Sequence, residues 1–183
     1  MSRRLLALEE AMNLIRQHYA PKQIGIEKVQ LEFAYGRVLA DDIISPINVP
    51  PFDRSTVDGY AVQASSTFGA EEDNPVTLSL LGRISAGQVS QVVVKPKTTI
   101  GIATGAPLPA GADAVVMLEY TSVSADKVKI YRPATPGENV LHAGFDVKAK
   151  EVVLKKAQHL GSRELGVLAA IGTPTVNVYK KPK

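Results

Sequence analysis

Between Tyr60 and Tyr131 the chain offers only short apolar runs, and their brevity is the strongest limit on its fold. Val76–Leu80, Gln91–Val94, Thr99–Ile102, Ala114–Met117 and Lys127–Ile130 are each four or five residues long. Gly, Pro, Ser, Asp and Asn fill the gaps, so no apolar pattern lasts long enough to nucleate a stable helix. Short runs rich in Val and Ile at this spacing predict a small β sandwich or barrel. Tyr60-Ala61-Val62, fed by the turn dipeptide Asp58-Gly59, adds a further strand.

Both flanks read differently. Leu5, Leu8, Met12, Ile15 and Tyr19 recur three and four residues apart, one apolar stripe on a helix that Ser2 can cap and Pro21 ends. Such a stripe commonly packs into a core; a dimer interface is the rarer use. Ile26–Leu31 looks strand-like, and Leu31–Gly36 suits a single helical turn. Near the other end, Val152–Leu154 predicts a strand. Ser162 caps a helix to about Ile171, with Leu165, Leu168 and Ile171 aligned and Gly172 closing it. Thr175–Tyr179 alternates like a strand. Helix-containing flanks around a β middle predict an α+β protein in which residues 1–47 and 143–175 form one discontinuous domain. Residues 48–142 are then an inserted β-rich domain, entered through the prolines Pro46, Pro50 and Pro51. Residues 176–183, a strand end and a basic run with a proline, are expected to begin a further domain.

Composition narrows the function classes. At 183 residues and a formal charge of +3, with both signs mixed along the chain, nothing marks a nucleic-acid surface. Cysteine is absent, which removes disulfides and thiolate metal sites. No apolar run approaches the roughly 20 residues of a membrane helix. The first twenty residues mix Arg3-Arg4 with Glu9-Glu10, unlike a secretory signal, so a cytoplasmic protein is expected.

Three segments can carry chemistry. In Val49–Val62, two prolines stiffen the entry. Asp53, Ser55 and Asp58 then crowd carboxylates and a hydroxyl around Arg54. Thr104-Gly105-Ala106-Pro107-Leu108-Pro109 follows a strand end, where amides beside a glycine can bind an anion. Asn139 and Asp146 flank glycine-bearing bends near the expected domain seam, where carboxylates can hold Mg²⁺. Each segment reads equally well as a rigid turn. No P-loop, dinucleotide fingerprint or His-Glu metal motif is present, and His18, His142 and His159 are scattered.

Taken in order, these segments resemble the molybdopterin molybdenumtransferase family, the group of MoeA and the gephyrin E domain. Pro50–Val62 is similar to that family's P-x-F-D-x-S-x-M-D-G-Y-A segment. Thr104–Val116 matches T-G-A-P-x-P-x-G-A-D-A-V-V, and Asn139–Asp146 resembles N-[VI]-R-x-x-G-x-D. Leu141 stands where the family usually shows arginine, Phe145 replaces a common glutamate, and Val57 a methionine. The resemblance implies an elongated discontinuous domain with a β-rich insertion, followed in the complete protein by a pterin-binding α/β domain and a small β domain. It also implies a homodimer whose active cleft draws on both subunits.

The implied reaction consumes adenylylated molybdopterin and molybdate, cleaves the phosphoanhydride, releases AMP and passes molybdenum to the dithiolene sulfurs. By motif position, Asp58 and Asp146 become catalytic and Mg²⁺-holding or water-orienting carboxylates, and Thr104 with the Gly105 amide become oxyanion donors. Asp53, Ser55 and Asp113 are expected to shape the substrate side of the loops, more by holding them than by touching substrate. A fragment without the α/β domain is expected neither to bind pterin tightly nor to turn over. The alternative is a dimerisation or peptide-binding scaffold of the gephyrin kind. Nothing in these residues separates molybdenum from tungsten.

Overall fold

A computed structural model of the chain describes residues 6–19 and 24–182. Leu5, Ser2 and Pro21, expected to start the first stripe, cap its helix and end it, lie outside the described residues. The chain divides into two compact units. One comprises Met1–Ile43 with Leu154–Lys183, and the other is the continuous stretch Ile44–Val153. An inserted unit was expected, but its borders fall at 43/44 and 153/154 instead of 47/48 and 142/143. The observed borders put Asp146 in the same unit as Asp58 and Thr104. Backbone hydrogen bonds from Gly144 N to Pro50 O (2.9 Å) and from Asp146 N to Val49 O (2.9 Å) hold that bend to the β-rich unit.

In the first unit, α1 (Leu8–His18) buries none of its residues. Its apolar stripe therefore does not enter a core among the described residues, and Leu8 is 80% exposed. β1 (Ile26–Gln30) pairs antiparallel with the last strand, β12 (Thr175–Tyr179). Residues 176–179 thus belong to this unit and do not open a new domain, a correction to the sequence expectation. The alternation of Val176 and Val178 explains it, since both are buried here. α2 (Ser162–Ala170) starts after Gly161, so Ser162 is its first residue, not its cap. Glu164 caps it instead, its carboxylate accepting the Gly161 N–H at 2.9 Å. Leu168, Ile171, Leu160 and Leu39 are buried in the same unit. At the border where the chain passes from one unit to the other, β2 (Ile43–Ile44) pairs with β11 (Val152–Leu154).

The second unit is built on one curled six-stranded sheet. β3 (Arg54–Ser55) lies outside it and pairs with β10 (Val140–Leu141). The sheet contains β4 (Gly59–Val62), β5 (Val76–Ile84), β6 (Thr98–Ile102), β7 (Ala114–Met117), β8 (Thr121–Ser124) and β9 (Lys127–Ile130), in the order β7-β4-β6-β5-β9-β8. Only β5 and β6 run parallel. Tyr60 and Val62 face a cluster with Leu78, Val116, Val128 and Ile130, while Ala61 faces Ile84, Val94, Ile100, Ile102 and Val115. Successive residues point to opposite faces of a strand, so apolar packing on both faces demands the unbroken apolar run of β4. Gly59 is required there because a Cβ would stand 2.0 Å from the Val116 carbonyl oxygen.

Gln91–Val94, expected as a strand, forms none. Ser90 Oγ binds both the N–H (3.0 Å) and the carbonyl (3.2 Å) of Val92, diverting that backbone from a ladder. Among the described residues, no helix is long and apolar enough to cross a membrane.

Candidate functional site

Two backbone strips meet on β3. On one side, Ser55 N donates to Ala106 O (3.0 Å), Gly105 N to Ser55 O (2.8 Å) and Leu108 N to Asp53 O (2.8 Å). On the other, β10 pairs in register, Ser55 opposite Val140 and Arg54 opposite Leu141. Thr56 N adds a bond to Asn139 O at 3.0 Å. The segments around residues 53, 105 and 140 are thus tied into one backbone network, which explains why each is rich in residues with constrained φ. Gly105 itself sits at φ 79°, a left-handed value that glycine adopts without penalty.

Side chains then fasten the loops. Asp58 Oδ1 accepts two hydrogen bonds from Thr104, from its N–H at 2.7 Å and its hydroxyl at 3.1 Å. The backbone N–H chiefly, and then the hydroxyl, favour the ionised form and hold this carboxyl below its usual 3.8. Asp58 Oδ2 has no protein partner among the described residues. Asp53 accepts from Ala143 N at 2.8 Å and from His142 Nδ1 at 3.0 Å. The buried Ser55 hydroxyl donates to Val57 O at 2.6 Å, and Asp113 Oδ1 accepts the Ala64 N–H at 2.6 Å. Asp53, Ser55 and Asp113 are therefore engaged in holding loops. The Gly105 amide, expected as an oxyanion donor, is consumed by Ser55 O. Asp146 is exposed, fixed through its backbone to Val49.

Asp58 also opens onto a pocket of about 170 Å³, lined besides by Tyr60, Arg83, Ser85, Gly101, Ile102 and Leu118. Arg83 escaped the sequence reading. The one available signal was Gly101 inside an apolar strand, a mark of close approach by a neighbour. His142 is one of three scattered histidines, and its partner Asp53 is 89 residues away, beyond any local pattern.

Among the described residues no three acidic or imidazole groups gather as a metal cluster. Mg²⁺ is commonly held by one or two carboxylates with substrate phosphates and water completing the shell, and Asp58 Oδ2, without a protein partner among the described residues, has the chemistry for such a ligand.

Comparison with known proteins decides the family. Residues 6–172 match the family described as "MoeA N-terminal region (domain I and II)". The chain belongs to this family. A curated relative, molybdopterin molybdenumtransferase 2 of Mycobacterium tuberculosis, is 40% identical over 155 residues, covering 85% of this chain and 38% of its own. The molybdopterin molybdenumtransferase of Staphylococcus epidermidis is 34% identical over 97% of this chain and 42% of its own. A crystal structure of a molybdopterin biosynthesis MoeA protein from Pyrococcus horikoshii superposes with a TM-score of 0.85 at 40% identity, over 98% of this chain and 45% of that one. The chain spans about two fifths of the length of the curated relatives it matches. The α+β class with a β-rich unit agrees with this MoeA neighbour.

Proposed function

We infer that the protein carrying this chain inserts molybdenum from molybdate into adenylylated molybdopterin with release of AMP, and that it works as a cytoplasmic homodimer. The observation that supports this reading best is the Asp58–Thr104 contact. It joins two sequence segments 46 residues apart and leaves an ionised, solvent-facing carboxylate at the mouth of a pocket. Cleaving a phosphoanhydride builds negative charge on oxygens that already carry it, so the site needs fixed donors and a countercharge. Asp58 and Asp146 are the carboxylates that would hold Mg²⁺ or orient water. When bound, that ion supplies neutralisation of the developing charge. Thr104 fixes Asp58 in one orientation through two donors and brings a hydroxyl to the site. Asp53, Ser55 and Asp113 keep the loops in register, so their effect on substrate is indirect.

The test is the pair Asp58→Asn and Asp146→Asn in the full-length protein. Asparagine keeps an acceptor for Thr104 while removing the charge. AMP release in the presence of molybdate should fall about 100-fold or more in each variant, the loss typical of a missing electrostatic contact at a reacting centre. Both variants should still unfold cooperatively, and their oligomeric state should not change. Turnover that survives both substitutions would favour the scaffold alternative, for which the exposed apolar stripe of α1 offers a surface.

A further inference from the structure

The pocket beside Asp58 is lined by a cationic residue to which the proposed reaction assigns no role. Arg83 lines it, and its guanidinium has no hydrogen bond or ion pair among the described residues. Two structural features place Arg83 on the pocket wall. First, the pairing of β5 with β6 runs Leu80 opposite Thr99 and then Arg83 opposite Gly101, so one extra residue is inserted into β5. A bulge of this kind re-aims the side chain that follows it, and Gly82 at φ 147° accommodates the distortion. Second, Gly101 provides the floor. A Cβ there would stand 2.8 Å from Arg83 Cγ, so only glycine lets the arginine stem lie across the strand.

Opposite charges in so small a space normally close into an ion pair. Here Arg83 and Asp58 form no ion pair, and Asp58 Oδ1 is instead engaged by the two Thr104 donors. Ser85 adds a hydroxyl to the lining without a partner of its own among the described residues. The pocket, about 170 Å³, has room for one compact anionic group with its solvent.

We propose that Arg83, with the Ser85 hydroxyl, binds a tetrahedral oxyanion in this pocket, facing the carboxylate of Asp58. A guanidinium presents parallel N–H donors that match two oxygens of such a group, and it stays charged at every accessible pH. The assignment rests on the reading that the site handles molybdate and a phosphoanhydride. Either the free molybdate or the adenylyl phosphate has the required chemistry, and the two are separable by experiment.

The 183-residue chain, labelled with ¹⁵N, is titrated with sodium molybdate, with AMP and with glycine, the last as a zwitterion control. Either oxyanion should shift the Ser85, Gly101 and Ile102 amide signals saturably. Arg83→Gln should weaken that binding about tenfold or more, the factor expected for one charge-assisted pair. Arg83→Lys should fall between. Arg83 is exposed, so the melting temperature should hold. Asp58→Asn should tighten the oxyanion without Mg²⁺, since it removes a like charge from the lining. Saturation by molybdate alone assigns the pocket to the metal oxyanion; saturation by AMP alone assigns it to the phosphoryl group. No saturable shift in the wild type, equal affinity in Arg83→Gln, or a response to glycine only would each overturn the proposal. Loss of turnover in Asp58→Asn is judged separately, so either reading can fail without the other.

Discussion

Asp53 accepts hydrogen bonds from two residues that follow it by 89 and 90 positions, His142 and Ala143. The Ala143 N–H, then the His142 ring, favour the ionised carboxylate and outweigh a small desolvation cost, so its carboxyl lies below 3.8. A carboxyl lowered by folding adds stability that is present above its unfolded value and lost as pH falls through its folded one. Asp53→Asn should therefore lower the melting temperature most near neutral pH. The gap from wild type should narrow as the solution is acidified below 3.8, as followed by circular dichroism. A gap independent of pH would show that the carboxylate's charge contributes nothing. Leu141, where the family usually shows arginine, faces Arg54 across the β3–β10 pair. Directly opposed residues project from the same face, so a cation is available beside that position from the other strand.

At the scale of elements, β5 shows how a local irregularity serves a site. Its residues up to Leu80 behave as an ordinary strand, and the bulge then shifts Arg83 to lie over Gly101. Gly82 has open space around it, so any penalty on substitution comes from backbone conformation alone. Gly82→Ala should cost about 1–3 kcal/mol, the penalty for holding an L-residue in a sparsely populated positive-φ conformation. Denaturant unfolding would measure it, and an unchanged midpoint would mean that the bulge relaxes freely. Gln91–Val94 teaches the converse. Its apolar residues satisfied a strand pattern, but Ser90 turned the backbone aside and left Val92 and Val93 exposed at 42% and 48%.

For the whole molecule, the continuous unit Ile44–Val153 contains Asp53, Ser55, Asp58, Arg83, Thr104, Gly105, Asp113 and Asp146. It has apolar clusters on both faces of its sheet, which is what an independently folding domain requires. Residues 44–153 expressed alone should unfold cooperatively on heating and keep the Thr104 amide signal of the full chain. A non-cooperative melt would show that the other unit's residues are needed to fold it. The sequence alone determined the α+β class, the β-rich insertion, most strands and the three loops, because alternation, proline and glycine act through neighbouring residues. Which loop touches which was decided only in three dimensions. The Asp53–His142 and Asp58–Thr104 contacts, the pairing of Thr175–Tyr179 with β1 that buries Val176 and Val178, and the exposure of the α1 stripe depend on distant partners. Local pattern shows that an apolar face or a carboxylate needs a partner; it does not contain the chain path that supplies one.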